Sequence, residues 1–165
     1  MLVYNVIDFE QMSVSEICEY LLNKYYFKLS SEFNVLRRYL DTCNLHEKDN
    51  DNTHGMIRIL IDKLNKDCNL VVKNDTHILF PKIQHTQENI DVNTIDVFKK
   101  MHQSILITLA KIKTLFNNYR TEKFWNTYTQ LAAIEMQNIE ENIKNIIFIK
   151  EKYLWHKIEN VTHDC

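Results

Sequence analysis

Apolar residues recur along this chain at alternating spacings of three and four, in four long stretches separated by polar segments, which is the signature of helices that bury one face. In the first, Leu22, Tyr26, Leu29, Phe33, Leu36, Leu40 and Cys43 form the stripe. Ser13 and Glu16 in "SVSE" have the spacing of a capping box, so this helix is predicted from Ser13 to about Thr42. The polar run "NLHEKDNDNTHG" follows, where Asn and Asp side chains compete for backbone hydrogen bonds. A second helix, from Met56 to Leu79, turns Ile57, Leu60 or Ile61, Leu64, Cys68, Val71, Asp75 and Ile78 inward. Pro81 is predicted to end it, because the ring removes an N–H and disfavours helix in the preceding residue. After "IQHTQENIDVN", a third helix from about Thr94 carries Ile95, Phe98, His102, Ile105, Leu109, Ile112, Phe116 and Tyr119. The fourth, about Glu122 to Glu159, carries Tyr128, Leu131 or Ala132, Glu135, Ile139, Ile143, Ile146, Lys150 and Tyr153.

Four such helices joined by modest loops predict an all-α fold: an up-down-up-down four-helix bundle over residues 13–160, with a short N-terminal segment 1–12 and a tail 161–165. "HILFPKI" near the end of the second helix and "KYLWHKI" near the end of the fourth echo one another, as two related helical hairpins would. Composition agrees: 165 residues that are 45% hydrophobic are enough for one core, and a single Gly and a single Pro leave little material for tight turns. A formal charge of -2 and a pI near 6.4 give no basic footprint, so no nucleic-acid partner is expected. No apolar run approaches the ~18 residues of a membrane span. Cys18, Cys43, Cys68 and Cys165 are widely spaced with no secretory signal, which predicts reduced, mostly packed thiols in a cytoplasmic protein. The expected partner is another protein, with a homodimer open.

Few ionisable side chains fall on the inner stripes, and Asp75, His102 and Lys150 are the ones that matter. Asp75 and His77 look like a ligand pair but stand two residues apart, so they point away from one another. His46, His54, His85, His156 and His163 fall in loops or near helix ends, where solvation is expected. Glu135, Glu140 and Glu141 in "IEMQNIEEN" have no nearby His. "RRYL", Arg37 to Leu40, is too short to mark a partner site.

The segments "LLNKYYFKLSSEF", "LVVKNDTHILFPKI" and "FKKMHQSILITLAKI" together resemble the hemerythrin-like domain of iron-sulfur cluster repair di-iron proteins, over about residues 13–158. The resemblance implies a bundle in which helix one supplies a His, helices two and four each supply H-x-x-x-E before an "LFP" ending, and helix three supplies a His. An i, i+4 pair puts imidazole and carboxylate on one helical face, so two such faces with two lone His can enclose two irons. Carried over residue by residue, those positions hold Tyr26, Val71, Asp75, His102, Ile146 and Lys150. Only His102 keeps the family's residue type. Val71 and Ile146 have nothing to coordinate with, and Lys150 puts an ammonium where a bridging carboxylate belongs. Residues 1–12 are too short for the N-terminal domain with a reactive cysteine that often precedes this bundle.

No metal or other cofactor is therefore expected, and an Asp75 to Lys150 ion pair is predicted to fill the centre, with Tyr26 and His102 supplying hydrogen bonds. Plainer alternatives are a Lys150 that sends its ammonium to water and a His102 that is simply a hydrogen-bonded core residue. The predicted role is a regulatory or interaction module, leaning away from an enzyme. The alternative is an iron protein linked to cluster repair or to oxygen and nitric-oxide stress, holding one iron through Tyr26, Asp75 and His102.

Overall fold

Ser13 opens the first helix with both halves of the capping box: its hydroxyl accepts from Glu16 N–H at 3.3 Å while the Glu16 carboxylate accepts from Ser13 N–H at 2.7 Å. The computed structural model describes residues 7–46, 52–85, 90–123 and 125–161, which contain helices and no strand. Helix α1 spans residues 14–46, as Val14–Leu21, a π-helical turn Leu22–Tyr26, and Phe27–His46. Helix α2 spans 52–85, as Asn52–Asn74, a π turn Asp75–Leu79, and Phe80–His85. Helix α3 is Val92–Leu115, and α4 spans 127–161, as Thr127–Ile149, a π turn Lys150–Leu154, and Trp155–Val161.

Several predicted boundaries move, each for a local reason. Residues 44–46 and 52–55, expected in the loop, are helical; residues 47–51 lie outside those described, as do His163 and Cys165. Pro81 does not end α2, which continues to His85. In a regular helix the proline ring meets the carbonyl four residues back. That residue, His77, lies inside the wider π turn, where Phe80 N–H reaches back to the Asp75 carbonyl and the ring gains room. Helix α4 begins at Thr127 rather than Glu122, because the Asn126 side chain caps it by accepting from Thr129 N–H at 2.9 Å. Tyr119 does not prolong α3. It ends a left-handed turn, Asn117–Tyr119, with φ of 47°, 55° and 62°. Asn tolerates that region and Tyr does not, so Tyr119 is held by its neighbours: its hydroxyl donates to Glu140 at 2.5 Å, and its ring packs beside Phe116.

The π turns also correct the inner stripes. Each adds a residue to one turn, so the buried face shifts by one position on crossing it. Leu21 is buried where Leu22 was expected, Leu79 where Ile78 was, and Leu154 where Tyr153 was; Ile78 is 49% exposed. Tyr128 and Leu131 face outward near the start of α4, Ala132 is buried and Glu135 half-buried.

Residues 27–46 of α1 pack along α4, α2 packs along α3, the start of α1 lies on the end of α2, and α3 also meets α4. Two apolar clusters fill the interior. One gathers Leu29, Phe33, Leu36, Leu64, Leu109, Ile112, Met136 and Ile139; the other gathers Ile17, Leu21, Tyr26, Leu79, Phe80, Phe98, Leu154 and Trp155. Among the described residues, no helix is long and apolar enough to cross a membrane.

Candidate functional site

Between those two clusters runs a polar layer to which every helix contributes one residue. On α1, Tyr26 separates Leu21 of one cluster from Leu29 of the other; on α2, Asp75 stands between Val71 and Leu79. On α3, His102 stands between Phe98 and Ile105; on α4, Lys150 stands between Ile147 and Leu154. Asp75 and Lys150 have no solvent exposure at all, and His102 is 1% exposed. Three of the four sit at an edge of a π turn: Tyr26 is the last residue of its turn, while Asp75 and Lys150 each open theirs.

The structure brings Lys150, Asp75 and Tyr26 into direct contact. Lys150 Nζ donates to both carboxylate oxygens of Asp75, at 2.8 Å to Oδ1 and 2.6 Å to Oδ2. Tyr26 donates its hydroxyl proton to Asp75 Oδ2 at 2.5 Å. The ammonium also lies over the rings of Phe98, 4.7 Å from the centroid, and Trp155, 5.2 Å away, whose negative faces favour a cation. Tyr26 stacks parallel to Phe80. Burial pushes the Lys150 pKa down, and the Asp75 carboxylate opposes that shift. Burial, reinforced by the Asp75 charge, pushes the Tyr26 phenol far up, so it stays protonated and can only donate to that carboxylate.

His102 joins the layer from its other side. Its Nδ1 lies 3.3 Å from Glu151 Oε1, and no group among the described residues reaches its Nε2. Burial first, and then the Lys150 charge, lower its pKa to about 3. Glu151 would favour the opposite shift, but it is 44% exposed and water screens it. The ring is therefore neutral at ordinary pH. Since a carboxylate only accepts, the proton sits on Nδ1 and the lone pair on Nε2.

Val71 and Ile146, at the two remaining positions carried over from the resemblance, are buried hydrocarbon. His77 is exposed and takes no part. Cys18, Cys43 and Cys68 are buried thiols, with Cys18 and Cys68 pushed up to about 12 by burial. Sequence reasoning missed Phe98 and Trp155 as a cradle for the ammonium. Phe98 reads as plain core, and Trp155 stands five residues after Lys150, a spacing that faces Lys150 only across a π turn. Glu151 was also missed. A second buried carboxylate, Glu140, accepts from Tyr119 at 2.5 Å and from Lys144 at 2.5 Å, with Lys113 at 3.5 Å.

These donors do not suit an iron. Both Asp75 oxygens are bonded to Lys150, Tyr26 keeps its proton, and a cation placed among them meets the ammonium within the same layer. Among the described residues, no group of three or more His, Cys, Asp or Glu side chains gathers as a metal would require. Neither a scan against protein-family models nor a search of curated proteins finds a match for this chain.

Proposed function

We propose that this chain is a hemerythrin-like, up-down-up-down four-helix bundle whose centre is held by an ion pair in place of two irons, and that it acts as a regulatory or interaction module rather than as an enzyme. One observation carries the reading: Lys150 Nζ sits on both oxygens of Asp75 with neither residue exposed, at two positions where the resembled family places metal-bridging glutamates. An ammonium there supplies the positive charge that a bare carboxylate in an apolar core requires. The contacts between the start of α1 and the end of α2, and of α1 with α4 and α2 with α3, support the up-down order. An ion pair in that place supports a role that needs neither a redox centre nor a coordinated metal. What the fold then offers a cell is its outer surface and its stability, and its partner is proposed to be another protein.

Metal analysis tests the reading. Full-length protein expressed with iron supplied and purified without chelator is expected to carry essentially no iron. About two irons per chain would restore the di-iron reading, and about one would favour the site formed by Tyr26, Asp75 and His102; either result overturns the proposal.

A further inference from the structure

A cavity of about 20 Å³ adjoins the polar layer, walled by Tyr26, Cys68, Val71, His102 and Ile146 among others. Its walls are almost all hydrocarbon, yet two of the residues that line it, Tyr26 and His102, each carry an unused hydrogen-bond acceptor. Tyr26 spends its only proton on Asp75, which leaves lone pairs on the phenolic oxygen. His102 Nδ1 is turned to the partly exposed Glu151, so the opposite nitrogen carries the lone pair, and it is buried and meets no protein group among the described residues. A buried acceptor without a donor is costly, so the site favours a small donor that fits.

We propose that this cavity binds one water molecule, which donates one proton to His102 Nε2 and the other to the phenolic oxygen of Tyr26. The volume suffices, because a single water needs roughly 10–15 Å³ and two or more polar partners. The hydrogen count closes as well: two protons meet two unused acceptors. An apolar gas of that size would leave Nε2 unpaired. With the water in place, a continuous hydrogen-bonded chain runs from half-exposed Glu151 through His102, water, Tyr26 and Asp75 to Lys150. It ties all four helices together at one level and connects the sealed ion pair to the surface. This inference uses only the contacts of the layer and does not depend on the role proposed for the protein.

The test is a crystal structure of the full chain, with a second crystal pressurised with xenon. The expected result is a density peak within about 2.7–3.2 Å of both His102 Nε2 and Tyr26 Oη, and no xenon there. A His102→Leu variant is expected to lose the peak; because the wild-type crystals decide the matter, the inference survives a variant that fails to fold. A cavity without density, or one that takes xenon, overturns the water while leaving the metal-free reading intact. An anomalous iron signal at that position overturns both.

Discussion

An ammonium and a carboxylate sealed from water are individually costly, so what each contributes depends on the other being present. For Asp75 and Lys150 the attraction and the desolvation cost roughly offset, whereas removing one partner leaves an uncompensated charge. Lys150→Met is therefore expected to lower the unfolding free energy by about 3–5 kcal/mol. Asp75→Asn combined with Lys150→Met is expected to recover most of that loss, because the orphan charge goes with its partner. Lys111→Met, on an exposed surface, should stay within about 0.5 kcal/mol of wild type. Urea unfolding of the three variants reads the comparison, and a Lys150→Met protein as stable as the surface control would sink the ion pair. Tyr26→Phe isolates the third member. It removes a hydrogen bond to a buried carboxylate, so a loss of about 1–3 kcal/mol is expected by the same measurement.

At the scale of elements, the π turns explain both how the layer is built and why part of it was hidden. The apolar periods of α1 to α4 are readable because most turns obey the α-helical repeat, as from Leu29 to Leu40 or from Ile95 to Ile112. Asp75, His102 and Lys150 could be placed inward on the same grounds, since each precedes or escapes the break in period. Past a π turn the repeat slips by one residue, and a three-four rule then selects Ile78 and Tyr153 in place of Leu79 and Leu154. The echo of "HILFPKI" and "KYLWHKI" contained the missing information. Asp75–Leu79 and Lys150–Leu154, which run into the two repeats, are both π turns, and in each repeat the next residue, Phe80 or Trp155, is buried against the layer. If the wide turn holds one residue more than an α-helix needs, deleting the exposed Lys152 should turn it into α-helix and leave Leu154 and Trp155 on the inner face, three and four residues after Lys150. A loss of only about 1 kcal/mol is expected. Deletion of the exposed Asn138, inside the regular part of α4, should rotate one side of its inner face out of the core and cost at least the ~3–5 kcal/mol of a large core truncation. Comparable denaturation midpoints for the two deletions would show that the wide turn is incidental.

For the whole molecule, the layer makes stability depend on pH through His102, whose folded pKa lies near 3 against about 6.5 for an ordinary His. The unfolded chain takes up the proton first as pH falls, so the contribution of a neutral, buried His102 is fully present above about pH 6.5. It is lost progressively between pH 6.5 and 3, at up to about 1.4 kcal/mol per pH unit. Carboxylates begin to take up protons below about pH 5, so the informative window is pH 6.5 to 5. In that window wild type is expected to lose stability while His102→Gln, which cannot ionise, stays nearly flat; urea midpoints at several pH values decide between them. The opposite slope is the discriminating outcome. It would mean that Glu151 holds His102 charged in the folded state, which places two cations in one buried layer and requires a second anion near Lys150. Asp75 is the carboxylate bonded to Lys150, and Glu151 is half-exposed, so the layer as built accepts one buried cation and keeps the imidazole neutral.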